Sequence, residues 1–434
     1  MKNIDIIRYG ANGEGVGVSD EKIVFIPYAL CGENVDAKVV EENTHFEVAQ
    51  LEKINKASLS RVEPVCSYFK VCGGCDIMHA STSEQKVIKQ QIIQNNLKKY
   101  ANYNGKIQSV VVGDNLLNYR NHITFQVNEN GILGFYEKDS HKFLEIKECK
   151  LANKVINNSI SFLNSYFFDN KLKGYNYKTK KGEIKQVDLK FVNDCLLITF
   201  VGVVKELPNI DNLLVRLNCL NVKYGIYISH NDKNSTIYGE LKHISGIKEI
   251  EYIDQGIKCF VSPFSFMQIN AEIKDKIYNK IYELVNGDII VDAYCGRGVL
   301  SCKLAKKVKK VYGIEIVSSA IYDAQQIAKN NNIKNVEFLC GDIKDMLQDV
   351  KKIDSIILDP PRKGCEKQVL ETIMGILPNQ IIYLSCASNT LARDLKILSE
   401  NYDIKLVEPY DMFPQTKHIE TLCLLEKKWK IKIR

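Results

Sequence analysis

Two short motifs near the end of the chain place one cysteine and one glutamate where they can do chemistry. The first, YLSCASNTLARD, holds Cys386 after an apolar run and before a helix-like stretch. The second, DMFPQTKHIETLCLL, holds Glu420 at the start of another apolar run. A thiol beside a helix N-terminus has a lowered pKa, so Cys386 is predicted to be a nucleophile that adds to an electron-poor ring. A carboxylate alongside it can take the proton that the ring must lose.

Cysteines that follow apolar strands are often only small core residues. Whether Cys386 and Glu420 form a catalytic pair therefore depends on the elements around them. Beyond Val261, apolar β-type runs alternate with amphipathic stretches, from DIIVDAYCGRGVLSCKLAKK to QIIYLSCASNT. This alternation predicts a parallel sheet with helices on both faces, a doubly wound, Rossmann-like α/β domain. Ligands bind such sheets at the carboxyl ends of the strands, and Cys386 lies at one such end.

The strand ends of this domain predict a nucleoside-containing cofactor. The first unit ends in the glycine turn DAYCGRG, and the second ends at Glu315, where a carboxylate can accept hydrogen bonds from both ribose hydroxyls. NAD competes for such a site, because it uses an acid at the same position. Three features argue against a dinucleotide: the third glycine of G-x-G-x-x-G is missing, Asp292 would repel a pyrophosphate, and the fourth strand ends in Asp359-Pro-Pro-Arg.

S-adenosylmethionine carries a sulfonium cation and no phosphate, so it tolerates these carboxylates. The sequence therefore predicts a methyltransferase. Asp342, at the end of the third strand, is then expected near the adenine, although an ordinary strand-end cap explains it too.

The first half of the chain is mostly β-type. Short runs separated by glycine turns over residues 1–58 predict a small closed or nearly closed barrel, since such short strands need closure to hide their edges. Its GEGVG turn and FIPYALCGENV run resemble a TRAM domain, an OB-like RNA-binding barrel. A helix is predicted in SEQKVIKQQIIQNNLKKY, and a hairpin with Asn130 and Gly131 at its turn. We predict three domains: 1–58, a β-rich central domain at 59–257, and the catalytic domain at 258–434.

Three thiols lie within ten residues in Cys66-x5-Cys72-Gly-Gly-Cys75, and Cys149 after the hairpin is a candidate fourth. Four thiolates suit either zinc or an iron–sulfur cluster. Zinc sites favour paired C-x2-C knuckles, and only one such pair is present.

Composition narrows the setting. The chain has 434 residues, with 59 Lys and Arg against 52 Asp and Glu, and its net charge of +7 permits a nucleic-acid partner without demanding one. Its 14 cysteines come without a charged and apolar leader at Met1 or an apolar run long enough to span a bilayer. A cytoplasmic protein with reduced thiols and no membrane partner is expected.

The motif Asp359-Pro360-Pro361-Arg362 excludes two groups of methyltransferase. Enzymes that methylate exocyclic amines have an aromatic residue where Arg362 stands, and RNA cytosine-5 methyltransferases have a cysteine at the position of Pro361. Over nearly its whole length the chain instead resembles the RNA uracil-5-methyltransferase family. The motifs that carry the resemblance are SFMQIN, DAYCGRG, GIE, LDPPRKG, SC followed by TLARD, and DMFP followed by HIE. One departure is Ala387-Ser388 after the cysteine, where family members commonly have Asn-Pro or a similar pair.

The resemblance implies Cys386 as nucleophile and Glu420 as base, with Asp359 and Phe266 at the uracil, although Phe266 also fits a core aromatic. It implies a cofactor site formed by Gln268, Tyr294, Glu315, Asp342 and Asp359. It also favours a [4Fe-4S] cluster on Cys66, Cys72, Cys75 and Cys149. The expected activity is C5 methylation of a uridine in RNA. The substrate is expected to be 23S ribosomal RNA, since the transfer-RNA branch of the family generally lacks the barrel and the cysteines. The protein is expected to be a monomer. Alternatives are methylation of the transfer-RNA T-loop and a non-catalytic iron–sulfur RNA-binding protein.

Overall fold

The first sheet is small and strongly curled. The structure, a computed structural model, describes residues 1–232 and 239–429, so 233–238 and 430–434 of the predicted second and third domains lie outside it. The strands are β1 (Lys2–Asp5), β2 (Arg8–Tyr9), β3 (Gly15–Ser19), β4 (Lys22–Ile26), β5 (Asn34–Glu42) and β6 (Phe46–Lys56). Their order is β1-β5-β6-β4-β3-β2, with only β4 and β6 parallel.

This sheet nearly closes on itself. The amide of Ile7, just after β1, donates to the Val16 carbonyl at 2.9 Å, which brings the first strand onto β3. Gly17 is required at the contact, because a Cβ there would lie 2.6 Å from the carbonyl oxygen of Asp5. The nearly closed barrel expected from the short strands is therefore present.

A single long helix, α1 (Thr82–Ala101), follows the cysteine-rich turn, as predicted. Ser81 caps it by accepting from the Glu84 amide. Its apolar residues Ile93 and Leu97 are buried in the same hydrophobic core as the last sheet of the molecule. By packing, α1 therefore belongs with the catalytic end of the chain, although it lies within the predicted range 59–257; the three-domain division stays a prediction.

The central sheet has seven strands in the order β13-β12-β11-β10-β7-β8-β9. Two helices, α2 and α3, supply buried apolar residues to its core. Gly131, with φ of 77°, turns the predicted hairpin of β7 and β8. The elements are β7 (His122–Val127), β8 (Leu133–Tyr136), β9 (Phe143–Glu145), α2 (Lys154–Asp169), β10 (Ile184–Val192), β11 (Cys195–Gly202), α3 (Ile210–Asn218), β12 (Lys223–His230) and β13 (Glu240–Gly246).

A two-stranded hairpin, β14 (Ile250–Asp254) and β15 (Ile257–Val261), leads into the last sheet. That sheet has the order β18-β17-β16-β19-β20-β22-β21 and a hydrophobic core on each face. Its elements are α4 (Ala271–Leu284), β16 (Ile289–Ala293), α5 (Val299–Leu304), β17 (Lys310–Glu315), α6 (Ser318–Asn330), β18 (Val336–Cys340), α7 (Ile343–Met346), a 3-10 turn (Leu347–Asp349), β19 (Ser355–Leu358), α8 (Lys367–Ile376), β20 (Gln380–Ser385), α9 (Ser388–Leu398), β21 (Tyr402–Tyr410) and β22 (Glu420–Lys427).

The doubly wound α/β prediction is confirmed, with one addition. Strands β16 to β20 are parallel, whereas β22 runs antiparallel to β20 and pairs with β21. The chain order reverses between β16 and β19, which opens a crevice at the carboxyl ends of these strands. Among the described residues, none of the helices has the length and apolar character needed to cross a bilayer.

Candidate active site

One large cavity of about 1260 Å³ opens at the carboxyl edge of the last sheet. The parallel strands deliver their end residues to it, as expected for a doubly wound sheet. The residues predicted to bind the cofactor, to contact the uracil and to act as nucleophile or general base all line this one cavity. They are Phe266, Gln268, Tyr294, Glu315, Asp342, Asp359, Cys386 and Glu420. Residues far apart in sequence thus share one concave surface.

The glycine turn after β16 forms the floor of the cavity. Gly296 has φ of 51° and nothing within 4 Å of where a Cβ would lie, so the backbone here is open to a ligand. Its amide donates to Glu315 Oε2 at 3.2 Å, and the Val317 amide donates to Oε1 at 3.0 Å. Each carboxylate oxygen keeps a second lone pair, so Glu315 is held in place and can still accept hydrogen bonds from a ligand.

Two other carboxyl groups, Asp342 and Asp292, have different positions and hydrogen-bond partners. Asp342 lines the cavity and also caps α7 by accepting from the Lys344 amide at 3.1 Å, so both interpretations of this residue are compatible with its position. Asp292 is buried, accepts a hydrogen bond from Ser301 Oγ at 2.5 Å, and has its pKa raised to about 6 by burial. Asp292 is not among the residues that line the cavity, but its negative charge helps to raise the pKa of Asp359.

Cys386 and Glu420 meet because two neighbouring strands are antiparallel. Cys386 directly follows β20, and Glu420 is the first residue of β22. The register pairs Ser385 with Thr421, so the end of one strand lies beside the beginning of the other. The thiol and the carboxyl group therefore share one edge of the sheet, and both line the cavity.

The prediction that a helix N-terminus lowers the pKa of Cys386 is wrong. Burial, with Glu420 as the next cause, raises the pKa of this thiol to about 11, and Arg362 opposes the shift. The helix α9 begins only at Ser388, and its dipole is weaker here than the loss of water and the neighbouring carboxyl group. The free thiol is therefore protonated at neutral pH and needs a nearby positive charge to ionise.

The two carboxyl groups of the site also have raised pKa values. Burial and then Asp359 raise the pKa of Glu420 to about 8, with Arg362 opposing. Burial and then Asp292 raise the pKa of Asp359 to about 7. Groups with pKa values near neutrality can both take up and release a proton, which suits general acid–base catalysis.

Arg362 is the residue that the sequence interpretation used only to exclude other families. It is exposed and lines the cavity, and its positive charge partly opposes the rise in the pKa of both Cys386 and Glu420. The Asp-Pro-Pro-Arg motif itself could have pointed to it, because a guanidinium beside an ionisable thiol favours the thiolate.

Phe266 is not a core aromatic, because 74% of its surface is exposed at the mouth of the cavity. Its loop is fixed by the buried Lys190, whose Nζ donates to the carbonyls of Pro263 at 2.5 Å and Ser265 at 2.7 Å. An exposed ring on a fixed loop can stack on a base without a large loss of conformational entropy.

A second cavity, of about 300 Å³, is lined by Cys66, Cys72, Cys75 and Cys149. Burial raises the pKa of the Cys72 and Cys149 thiols. Arg120 lines the same cavity, and its buried Nε has no hydrogen-bond partner. Within 1–232 and 239–429, no three His, Cys, Asp or Glu side chains are grouped to hold a single metal ion. Four thiols around a shared space, beside a guanidinium whose Nε lacks a partner, form a donor set that fits a polynuclear anionic cluster.

Comparisons with known proteins agree with this geometry. A sequence model of the family described as tRNA (uracil-5-)-methyltransferase matches residues 247–428. An RNA methyltransferase of Listeria innocua is 35% identical, and the match covers 96% of this chain and 95% of the relative. An RNA methyltransferase of Clostridium tetani is 33% identical, and the match covers 98% of this chain and 95% of the relative.

One solved structure resembles the whole chain. It is the tRNA (uracil-54, C5)-methyltransferase of Pyrococcus abyssi in complex with S-adenosyl-L-homocysteine. It has a TM-score of 0.80 and 26% identity, and the match covers 98% of this chain and all of the other.

Proposed function

The chain belongs to the RNA (uracil-5-)-methyltransferase family and is an S-adenosylmethionine-dependent enzyme, and from this premise we propose that it methylates C5 of a specific uridine in 23S ribosomal RNA. The observation that carries the proposal is the meeting of Cys386 and Glu420 at the edge of the cofactor cavity. An RNA-binding protein without catalysis would need neither a buried carboxyl group nor a thiol at that place.

The chemistry follows from the electronic structure of uracil, whose C5 is too weak a nucleophile to react unaided. The Cys386 thiolate adds to C6, forming a carbon–sulfur bond and moving an electron pair toward C5. Arg362 favours the thiolate needed for this step. When bound, S-adenosylmethionine would supply an electrophilic methyl group to C5, with S-adenosylhomocysteine as the leaving group. The reacting atoms must lie within roughly 3–3.5 Å.

Glu420 then completes the reaction. Its carboxylate takes the proton from C5, the electron pair re-forms the C5–C6 double bond, and the carbon–sulfur bond breaks to return the Cys386 thiolate. Asp359, with a pKa of about 7, can hydrogen-bond the uracil edge in either protonation state. Phe266 stacks on the base or its neighbour, which offsets part of the few kcal/mol needed to unstack the uridine.

The cofactor is held by the strand ends. Glu315 accepts hydrogen bonds from the ribose hydroxyls, Asp342 lies toward the adenine, and Tyr294, Gln268 and Asp359 complete the site, as the family resemblance implies. All five line the same cavity.

The choice of ribosomal RNA is supported by the curled N-terminal sheet, interpreted as a TRAM barrel, and by the cysteine cavity, which the resemblance associates with the ribosomal branch. A second candidate is a transfer-RNA uridine. It is favoured by the similarity to the Pyrococcus abyssi transfer-RNA enzyme, which extends over 98% of this chain.

Mapping 5-methyluridine in a deletion strain separates the two candidates. We expect mass spectrometry to detect the loss of 5-methyluridine from 23S ribosomal RNA, with transfer RNA unchanged. The wild-type gene should restore the modification, and a Cys386→Ala copy should not. Loss from transfer RNA alone would establish the second candidate, and no loss from either RNA would contradict the proposed function.

We further propose that Cys66, Cys72, Cys75 and Cys149 hold a [4Fe-4S] cluster with a structural role. Arg120 offsets the negative charge of the four thiolates. All 14 cysteines are free thiols in the structure, which suits a protein of the reducing cytoplasm and agrees with that proposed location.

Anaerobically purified protein should be brown and contain about four irons per chain. Cys72→Ser should lose the colour and lower the thermal midpoint, because three thiolates hold a cluster poorly and a closed metal site contributes to folding. The exposed Cys219→Ser is the matched control and should keep both. Zinc in place of iron in the anaerobic protein would overturn the cluster while leaving the methyltransferase proposal intact.

A further inference from the structure

Helix α1 carries a buried polar stripe that the proposed mechanism does not use. Gln85, Lys89 and Asn96 are only 5%, 0% and 6% exposed. Their spacing of four and seven residues places all three on one face of the helix. Buried polar side chains on a helix need partners, and those partners are the two segments that carry the catalytic pair.

Two of the stripe residues hold the loop that leads into Glu420. Lys89 pairs with Asp411 and donates to the Phe413 carbonyl at 3.1 Å. Gln85 Nε2 donates to Gln415 Oε1 at 2.9 Å, and Gln85 Oε1 accepts from the Gln415 amide at 3.1 Å. Four interactions thus fix the segment between β21 and the base, and Phe413 in that segment lines the active cavity.

The third stripe residue holds the turn that carries the nucleophile. Asn96 Nδ2 donates to Ser388 Oγ at 2.8 Å, and both side chains are buried. Ser388 is the first residue of α9, two positions after Cys386. Asn96 therefore holds the turn directly beside the nucleophile.

A second side of α1 contacts the N-terminal sheet. Asn95 Nδ2 donates to the Tyr9 carbonyl at 3.0 Å, and Gln91 accepts from the Tyr9 amide at 3.0 Å. The helix is therefore held by the N-terminal sheet as well as by the catalytic segments.

We propose that α1 is a brace that sets the position of the nucleophile relative to the base, with Asn96 acting on Cys386 and with Gln85 and Lys89 acting on Glu420. The proposal rests on the proposed methyltransferase function and adds three positioning residues to it. A buried ion pair such as Lys89–Asp411 is weak evidence for added stability, and we assign its role here to the geometry of the segment that it holds. Because catalysis is sensitive to displacements of about 1 Å, loosening either contact should slow the step that its segment performs.

The test separates the two half-reactions in single turnover, with the RNA in which the mapping finds the modification. The rate of adduct formation is measured with a 5-fluorouridine transcript, and elimination is followed by decay of the covalent methylated complex on ordinary transcript. Asn96→Leu should slow adduct formation about tenfold. The double variant Lys89→Met, Asp411→Leu, which leaves no unpaired buried charge, should slow elimination about tenfold and accumulate the covalent complex.

Gln85→Met is a second variant on the Glu420 side, and it should also slow elimination selectively. It removes the two hydrogen bonds to Gln415 and a third to the Ala80 carbonyl without touching a charge. Gln94→Ala changes an exposed residue of the same helix, is the matched control and should change neither step. Wild-type rates in Asn96→Leu and Gln85→Met, or an equal slowing of both steps in each variant, would overturn the brace. Absence of any adduct with wild-type enzyme would instead overturn the proposed function.

Discussion

Replacing Cys386 by alanine should reduce 5-methyluridine formation by about 10³-fold or more, because it removes the nucleophile on which every later step depends. Binding of S-adenosylmethionine and RNA should remain close to wild type, since the thiol is one small group in a cavity of about 1260 Å³. The measurement is incorporation of labelled methyl groups into RNA, with binding of both substrates measured in parallel.

A covalent trap identifies the atom involved. Wild-type enzyme on 5-fluorouridine RNA should form an adduct that survives denaturation, because fluorine cannot leave as a proton does, and Cys386→Ala should form none. Cys340→Ala, which removes an exposed thiol, is the control and should trap normally. An adduct that persists in Cys386→Ala, or is missing in the wild type, would disprove the assignment of the nucleophile.

Glu420→Gln should leave addition and methyl transfer intact and slow elimination by roughly 10²–10⁴-fold, because glutamine has the same shape and cannot accept the C5 proton. A methylated RNA–protein complex should therefore accumulate on ordinary RNA, visible as a labelled band on a denaturing gel. Glu426→Gln is the matched control, since Glu426 lies on the same strand but is exposed. Turnover of Glu420→Gln at the wild-type rate would mean that another group is the base.

The same variant should also change how stability depends on pH. Glu420 has an ordinary pKa of 4.5 and a folded-state pKa of about 8, so its carboxyl group ionises more easily in the unfolded chain. Its contribution to stability is complete below about 4.5 and is lost as the pH rises to about 8. The thermal midpoints of Glu420→Gln and wild type should therefore be close near pH 5 and diverge toward pH 8, with the variant the more stable.

The sequence alone determined the parts of the site that depend on local order along the chain. Alternating apolar and amphipathic runs require a doubly wound sheet, and such a sheet gathers its strand ends at one edge, so Glu315, Asp342, Asp359 and Cys386 could be assigned to one site from their positions after strands. The hairpin at Gly131 and the helix α1 were likewise predictable, because turn chemistry and periodicity are local.

Tertiary structure alone decided how these groups behave. Glu420 lies beside Cys386 only because β22 runs antiparallel to β20, which no local pattern specifies. The pKa of Cys386 rises instead of falling, because burial and Glu420 outweigh a helix end, and burial is a property of the whole fold. The polar stripe of α1 is unremarkable in sequence and acquires meaning when Lys89 meets Asp411, 322 positions along the chain. Long-range pairing and desolvation depend on the complete packing of the chain, whereas a sequence pattern describes only residues that are close together along the chain.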